Sequence, residues 1–69
     1  MQQAQLPRAV RCRKCGRFLG GADTTFYVRC HSCKTKNHGF FTKHFGIDFR
    51  IDLWYEDDGS LKLKASIVQ

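Results

Sequence analysis

The sequence lacks the features of several large protein classes. No apolar run approaches the roughly 18 to 20 residues that a membrane span requires, so no membrane association is expected. The stretch Met1-Gln2-Gln3-Ala4-Gln5-Leu6-Pro7-Arg8 has no apolar core behind a charged start. It does not match a secretory signal, and a cytoplasmic location is expected. The chain is also short: 69 residues hold one core and not two, and a large substrate-enclosing fold is not expected. There is no Ser/His/Asp arrangement that can be placed and no glycine loop of the phosphate-cradling kind, so the chain is not expected to be an enzyme. No helix is clearly signalled, although residues 40–45 could form one short turn. Acidic residues are scarce in the first two thirds, where Asp23 is the only one before residue 46.

What is present must compensate for small size. A domain this short buries only about 60% of its unfolded surface, and such domains usually add disulfides, a metal or a partner chain. Hydrophobic content of 42% is too high for a disordered chain. Net charge is +6, unevenly spread. Residues 1–45 hold nine Lys and Arg against one acid, which gives +8; residues 46–69 hold three bases against five acids, which gives −2. A basic half beside a mildly acidic half points to a polyanion-facing surface on the first half. A merely solvated basic face is the competing interpretation. The crowding of bases around the cysteines favours nucleic-acid contact.

The cysteines are Cys12, Cys15, Cys30 and Cys33, two C-x2-C pairs separated by fourteen residues. Two thiolates spaced in this way can face one ion from a tight turn. Two such turns supply four ligands to a tetrahedral Zn²⁺. The intervening segment has room for a strand, a turn and a returning strand. Gly16 follows the first pair, where the chain needs a positive φ to turn back under the metal. Lys34 follows the second, which suggests two inequivalent knuckles. Two disulfides would also account for four cysteines, but a cytoplasmic setting disfavours them. A redox C-x2-C usually sits in a larger βαβ unit, and a four-thiolate iron centre fits a basic shell less well than zinc does. One zinc per chain is therefore expected. Four cysteines leave no open coordination position, so the metal's role would be structural, with its binding energy serving as folding energy. His31, His38 and His44 are surplus to this ligand set and are assigned to the surface or to ligand contact.

The run Val10-Arg11-Cys12-Arg13-Lys14-Cys15-Gly16-Arg17-Phe18-Leu19, followed by Tyr27-Val28-Arg29-Cys30-His31-Ser32-Cys33-Lys34-Thr35-Lys36-Asn37, resembles the Com family of phage zinc-finger regulators. The resemblance covers residues 9 to 37. It implies an RNA-binding activator of translation for a phage DNA-modification gene, acting in a bacterial host cell. It also implies Cys12, Cys15, Cys30 and Cys33 as metal ligands, with Arg11, Arg13, Lys14, Arg17, Arg29, Lys34 and Lys36 as candidate phosphate contacts. Tyr27 and His38, aromatic with a polar edge, are candidates for stacking on unpaired bases, and His31 for contact from the second knuckle. Beyond residue 40 the chain departs from the Com pattern, because its tail is regularly patterned.

That tail alternates strictly. Ile47, Phe49, Ile51, Leu53 and Tyr55 interleave with Asp48, Arg50, Asp52, Trp54 and Glu56, as in a half-buried strand. Leu61, Leu63, Ala65 and Ile67 interleave with Lys62, Lys64, Ser66 and Val68. Parity fixes the register. A two-residue turn at Asp58-Gly59 would set Leu53 opposite Lys64 and mix the two faces, which a half-buried sheet resists. A three-residue loop, Asp57-Asp58-Gly59, sets Glu56 opposite Ser60, Tyr55 opposite Leu61, Leu53 opposite Leu63, Ile51 opposite Ala65 and Phe49 opposite Ile67. Asp52 then faces Lys64 on the outer side, and Gly59 takes the left-handed position.

The expected architecture is a small all-β domain over residues 1–69: a four-cysteine zinc ribbon at 8–38, a connector at 39–46 and a β-hairpin at 47–68. The apolar hairpin face would pack on Phe18, Leu19, Phe26 and Val28 of the ribbon, with Phe40, Phe41 and Phe45 as core residues of the connector. Trp54 and Val68, apolar on the polar face, suggest a second contact surface for a homo-oligomer or a phage protein partner. The expected function is binding of nucleic acid, RNA over DNA. A DNA-binding zinc ribbon and a zinc-stabilised assembly protein using the hairpin as its interaction surface remain the alternatives, with an electron carrier a minor one.

Overall fold

A computed structural model describes residues 8–68. It is all-β, with six strands: β1 (Arg8–Arg11), β2 (Phe18–Ala22), β3 (Thr25–Arg29), β4 (Lys36–His44), β5 (Ile47–Tyr55) and β6 (Leu61–Ile67). β1 and β2 form a two-stranded ribbon, and the other four form an antiparallel sheet in the order β3-β4-β5-β6. No helix among the described residues is long and apolar enough to cross a membrane.

The β5–β6 register is the one that parity dictates. Phe49 faces Ile67, Ile51 faces Ala65, Leu53 faces Leu63 and Tyr55 faces Leu61. The Glu56 amide donates to Ser60 O and the Gly59 amide to Glu56 O, both at 2.9 Å. Gly59 turns with φ 88°. Asp58 closes the loop by accepting from the Ser60 amide and hydroxyl, and these two bonds hold its carboxyl below the usual range.

Residues 39–46 differ from the expected connector. Most of them belong to β4, which starts at Lys36 and pairs with β3 on one side and β5 on the other. Its inward positions are Asn37, Gly39 and Phe41, all buried, so a polar residue and a glycine hide the alternation that usually marks a strand. Gly39 is there for close approach: a Cβ would collide with the Ile51 carbonyl oxygen and lie 2.8 Å from Phe26 Cζ. The turn from β4 to β5 is the two-residue Phe45-Gly46, with φ 53° and 77°, the pair of positive values that a tight hairpin turn demands. Phe45 is wholly exposed at that tip and is not a core residue.

The strand–turn–strand expected between the cysteine pairs is also modified. β2 and β3 follow one another but belong to different sheets. The chain bends at Asp23-Thr24, where Arg8 donates to Asp23 O at 2.7 Å and the Phe41 amide to Thr24 O at 2.7 Å. This bend lays the β1–β2 ribbon over one face of the sheet. The core there is small: Val10, Phe26 and Phe41, with Ala22, Val28 and Val68 packed against it. Phe18, expected in the core, is more than half exposed.

The covered face is the opposite of the one expected. Asp48, Arg50, Asp52 and Trp54 point toward the ribbon, and the apolar set points away from it. Asp52 is buried and accepts from the Arg50 guanidinium at 2.9 Å, so its partner is Arg50, although Lys64 stands opposite in register. The Arg50 guanidinium lies 4.9 Å from the centre of the Phe26 ring, while Arg8 sits 5.3 Å from that of Phe41 and 3.5 Å from Asp48. The Arg13 guanidinium lies over the Trp54 ring, and Val68 packs against the core. A guanidinium group can lie over an aromatic ring and still pair with a carboxylate, as Arg8 and Arg50 do here, and this lets the charged positions face inward.

Candidate metal centre and adjoining groove

Each C-x2-C pair lies in a tight knuckle at a strand end. In the first, the Gly16 amide donates to Cys12 O at 3.0 Å and the Cys12 amide to Arg17 O at 2.9 Å. In the second, the Lys34 amide donates to Cys30 O at 3.0 Å and the Cys30 amide to Thr35 O at 2.9 Å. The hydrogen bonding is the same, and so is the turn: Gly16 has φ 81° and Lys34 φ 65°. The knuckles are therefore equivalent in backbone, contrary to the expectation drawn from the different residues at this place. A left-handed conformation costs an L-residue about 1 to 2 kcal/mol, so Lys34 holds a conformation that glycine adopts without strain.

The knuckles bring the four sulfurs together. Cys12 Sγ lies 3.5 Å from Cys33 Sγ and Cys15 Sγ 3.6 Å from Cys30 Sγ; all four lie within 4.8 Å of one another. No disulfide joins them. A tetrahedral site with Zn–S of about 2.3 Å has sulfurs about 3.8 Å apart, so this cluster fits a metal of that size with a small adjustment. Cys12 and Cys30 are buried, and Cys15 and Cys33 face outward.

The surroundings make the thiols unequal. Burial pushes Cys12 up, but the amides of Cys15 and Lys14, with Cys33 and Asn37, outweigh it and bring the thiol from 9.0 to about 6. The Arg17 amide pulls Cys15 down, but Cys30, burial and the remaining sulfurs drive it up to about 11. The hydroxyl and amide of Thr35 lower Cys33. Metal binding must release thiol protons, because thiolates are the ligands.

Asn37 ties the knuckles together. It is fully buried, accepts from the Arg13 amide at 2.8 Å and donates to Thr35 O at 3.1 Å. It thus joins the first knuckle to the exit of the second. Sequence reasoning missed it because a single asparagine next to basic residues carries no periodic signal.

Beside the metal end lies an open groove of about 760 Å³. Arg13, Lys14, Lys34 and Lys36 supply charge, and Tyr27, His38, Trp54 and Tyr55 supply rings, with Thr35 and Leu53 between them. Tyr27 and His38 lie with ring centres 5.2 Å apart, and Tyr27 is 72% exposed. The Arg13 guanidinium lies 4.2 Å from the centre of the Trp54 ring. Six of the ten expected contact residues line this groove: Arg13, Lys14, Tyr27, Lys34, Lys36 and His38. Arg11, Arg17, Arg29 and His31 are exposed but do not line it. Arg11 instead donates to Gly16 O at 3.2 Å and reaches over Phe18, and Arg29 approaches Lys34 O at 3.4 Å. Trp54 and Tyr55 had been assigned to the hairpin; the antiparallel return of β5 carries them to the cysteine end.

No family model, no curated protein and no solved structure matches this chain. The function must be inferred from the site itself.

Proposed function

We propose that this protein is a zinc-folded nucleic-acid-binding module that holds a short unpaired stretch of RNA in the groove at its metal end. The observation that carries this reading is the groove's lining, which brings four cationic side chains and four rings together beside the cysteine cluster. Unpaired bases stack on exposed aromatic faces while Lys and Arg neutralise the backbone. Zinc is the metal that four thiolates at this spacing suit best; bound there, it folds the knuckles that carry Lys14 and Lys34. With four sulfurs on the ion, no position is left for a substrate, so the centre is structural and the protein is not an enzyme. RNA is favoured over DNA by the Com-like resemblance of residues 9 to 37. The same resemblance makes the target a messenger leader and the role translational activation of a phage DNA-modification gene.

Binding of the zinc-loaded protein to single-stranded RNA, single-stranded DNA and duplex DNA across a salt series tests this reading. Trp54, the only tryptophan, lines the groove and reports occupancy by fluorescence. Single-stranded RNA is expected to bind most tightly, with affinity falling as salt rises. Lys36→Ala and Tyr27→Ala, both at exposed positions, should each weaken it several-fold while the fold persists. Equal affinity for all three polymers, or no effect of either substitution, would overturn it.

A further inference from the structure

The uncovered face of the four-stranded sheet is apolar. Phe49, Ile51 and Leu53 form its half-buried middle, and Leu61, Leu63 and Ile67 extend it across β6 at 56%, 62% and 57% exposure. From His38 onward, the alternate positions of β4, β5 and β6 that share this face contain no Asp, Glu, Lys or Arg. Single exposed leucines are ordinary, but a contiguous apolar patch marks an interaction surface. Among the described residues, eight large hydrophobic side chains are exposed, whereas the enclosed core is Val10, Phe26 and Phe41.

We propose that this face is a homodimer interface, in which the sheets of two copies pack face to face about a two-fold axis. Three features point to a second copy as the occupant. First, β4 from His38 onward, β5 and β6 lie about 4.8 Å apart and are seven to nine residues long at about 3.4 Å each, which gives roughly 380 Å² in plan. Side-chain relief raises the accessible area further, toward the ~800 Å² per partner of a stable interface. Second, the patch carries no charge of either sign, so two copies meet without an unpaired ion in the contact, and an acidic or basic partner would find nothing there to pair with. Third, a two-fold contact requires only that the patch be compatible with itself. A sheet face of aliphatic and aromatic side chains meets that requirement in the manner of a β-sandwich, with the sheets about 10 Å apart. The face shares His38 and Leu53 with the groove, but the dimer is argued from the apolar face alone and does not depend on the nucleic-acid reading.

Sedimentation analysis of the full zinc-loaded chain between about 1 and 300 µM tests this, a range that brackets the dissociation constants of weak to moderate dimers. The wild type is expected to reach a discrete dimer. Leu63→Glu changes a side chain that is already solvent-exposed, so the monomer should still fold and bind one zinc. As a charge buried without a partner, it should weaken the dimer at least about a hundredfold. Lys62→Glu, one residue away on the opposite face, should leave the dimer intact. A wild type that stays monomeric across the range overturns the proposal, whether the monomer then binds neutral lipid vesicles or another protein. A dimer that Leu63→Glu leaves unchanged, or that Lys62→Glu abolishes equally, places the contact elsewhere and also overturns it.

Discussion

The cysteine end and the sheet end of this molecule are stabilised by different physics. At the cysteine end the buried residues are Cys12, Cys30 and Asn37, which means ligands and one polar crosslink. At the sheet end, long antiparallel strands satisfy one another's backbone, the covered face holds an Arg50–Asp52 pair, and the apolar side chains stand outside. Each end keeps one non-glycine residue in the left-handed region, Lys34 at the metal and Phe45 at the far turn. The difference teaches that a small chain can assign its interior to a cysteine cluster and arginine-covered rings, leaving much of its apolar surface exposed.

The largest expected effect separates the two ends. Cys30→Ser removes a buried ligand and should abolish tight metal binding, a loss on the order of 10 kcal/mol of folding free energy at the knuckles. Metal analysis should give one zinc per chain for the wild type and none for the variant, with circular dichroism reporting the loss of ordered structure. A variant that keeps its metal would show that three thiolates suffice.

The joint between the ends comes next. Gly39→Ala drives a methyl group into the Ile51 carbonyl and the Phe26 ring, and should cost about 3 kcal/mol, at the upper end for overpacking. The shift in denaturation midpoint measures this. A neutral effect would mean that β4 and β5 do not pair as described. Asn37→Ala leaves the Arg13 amide and Thr35 O without their partner, and should cost about 2 kcal/mol by the same measurement.

Much of this was legible beforehand. The metal site was readable because ligand spacing is a local constraint, and the two knuckles obey it. The β5–β6 register was readable because parity admits one loop length. Which face turns inward was not, because alternation gives a period and not a direction. The inward direction goes with Arg8, Arg13 and Arg50, whose guanidinium groups lie over Phe41, Trp54 and Phe26. β4 was missed because Asn37 and Gly39 occupy inward positions that are usually apolar. The groove was only half legible: its cations lie near the cysteines in sequence, whereas Trp54 and Tyr55 arrive by strand return.

The smallest effects probe the two strained turns. Lys34→Gly and Phe45→Asn place residues suited to positive φ at each site, the second giving the Asn-Gly pair that favours this turn. Each should raise stability by about 1 kcal/mol in chemical denaturation. Lys34→Gly should also weaken RNA binding, whereas Phe45→Asn should not, and this links the metal-end strain to the groove.

Amide hydrogen exchange with and without a chelator measures the division between the ends residue by residue. Removing zinc should expose the amides of Cys12, Gly16, Cys30 and Lys34 together, while those of β5 and β6 stay protected. Knuckle amides that remain protected without metal, or a loss of protection spread evenly over all six strands, would contradict a metal-built end joined to a self-sufficient sheet.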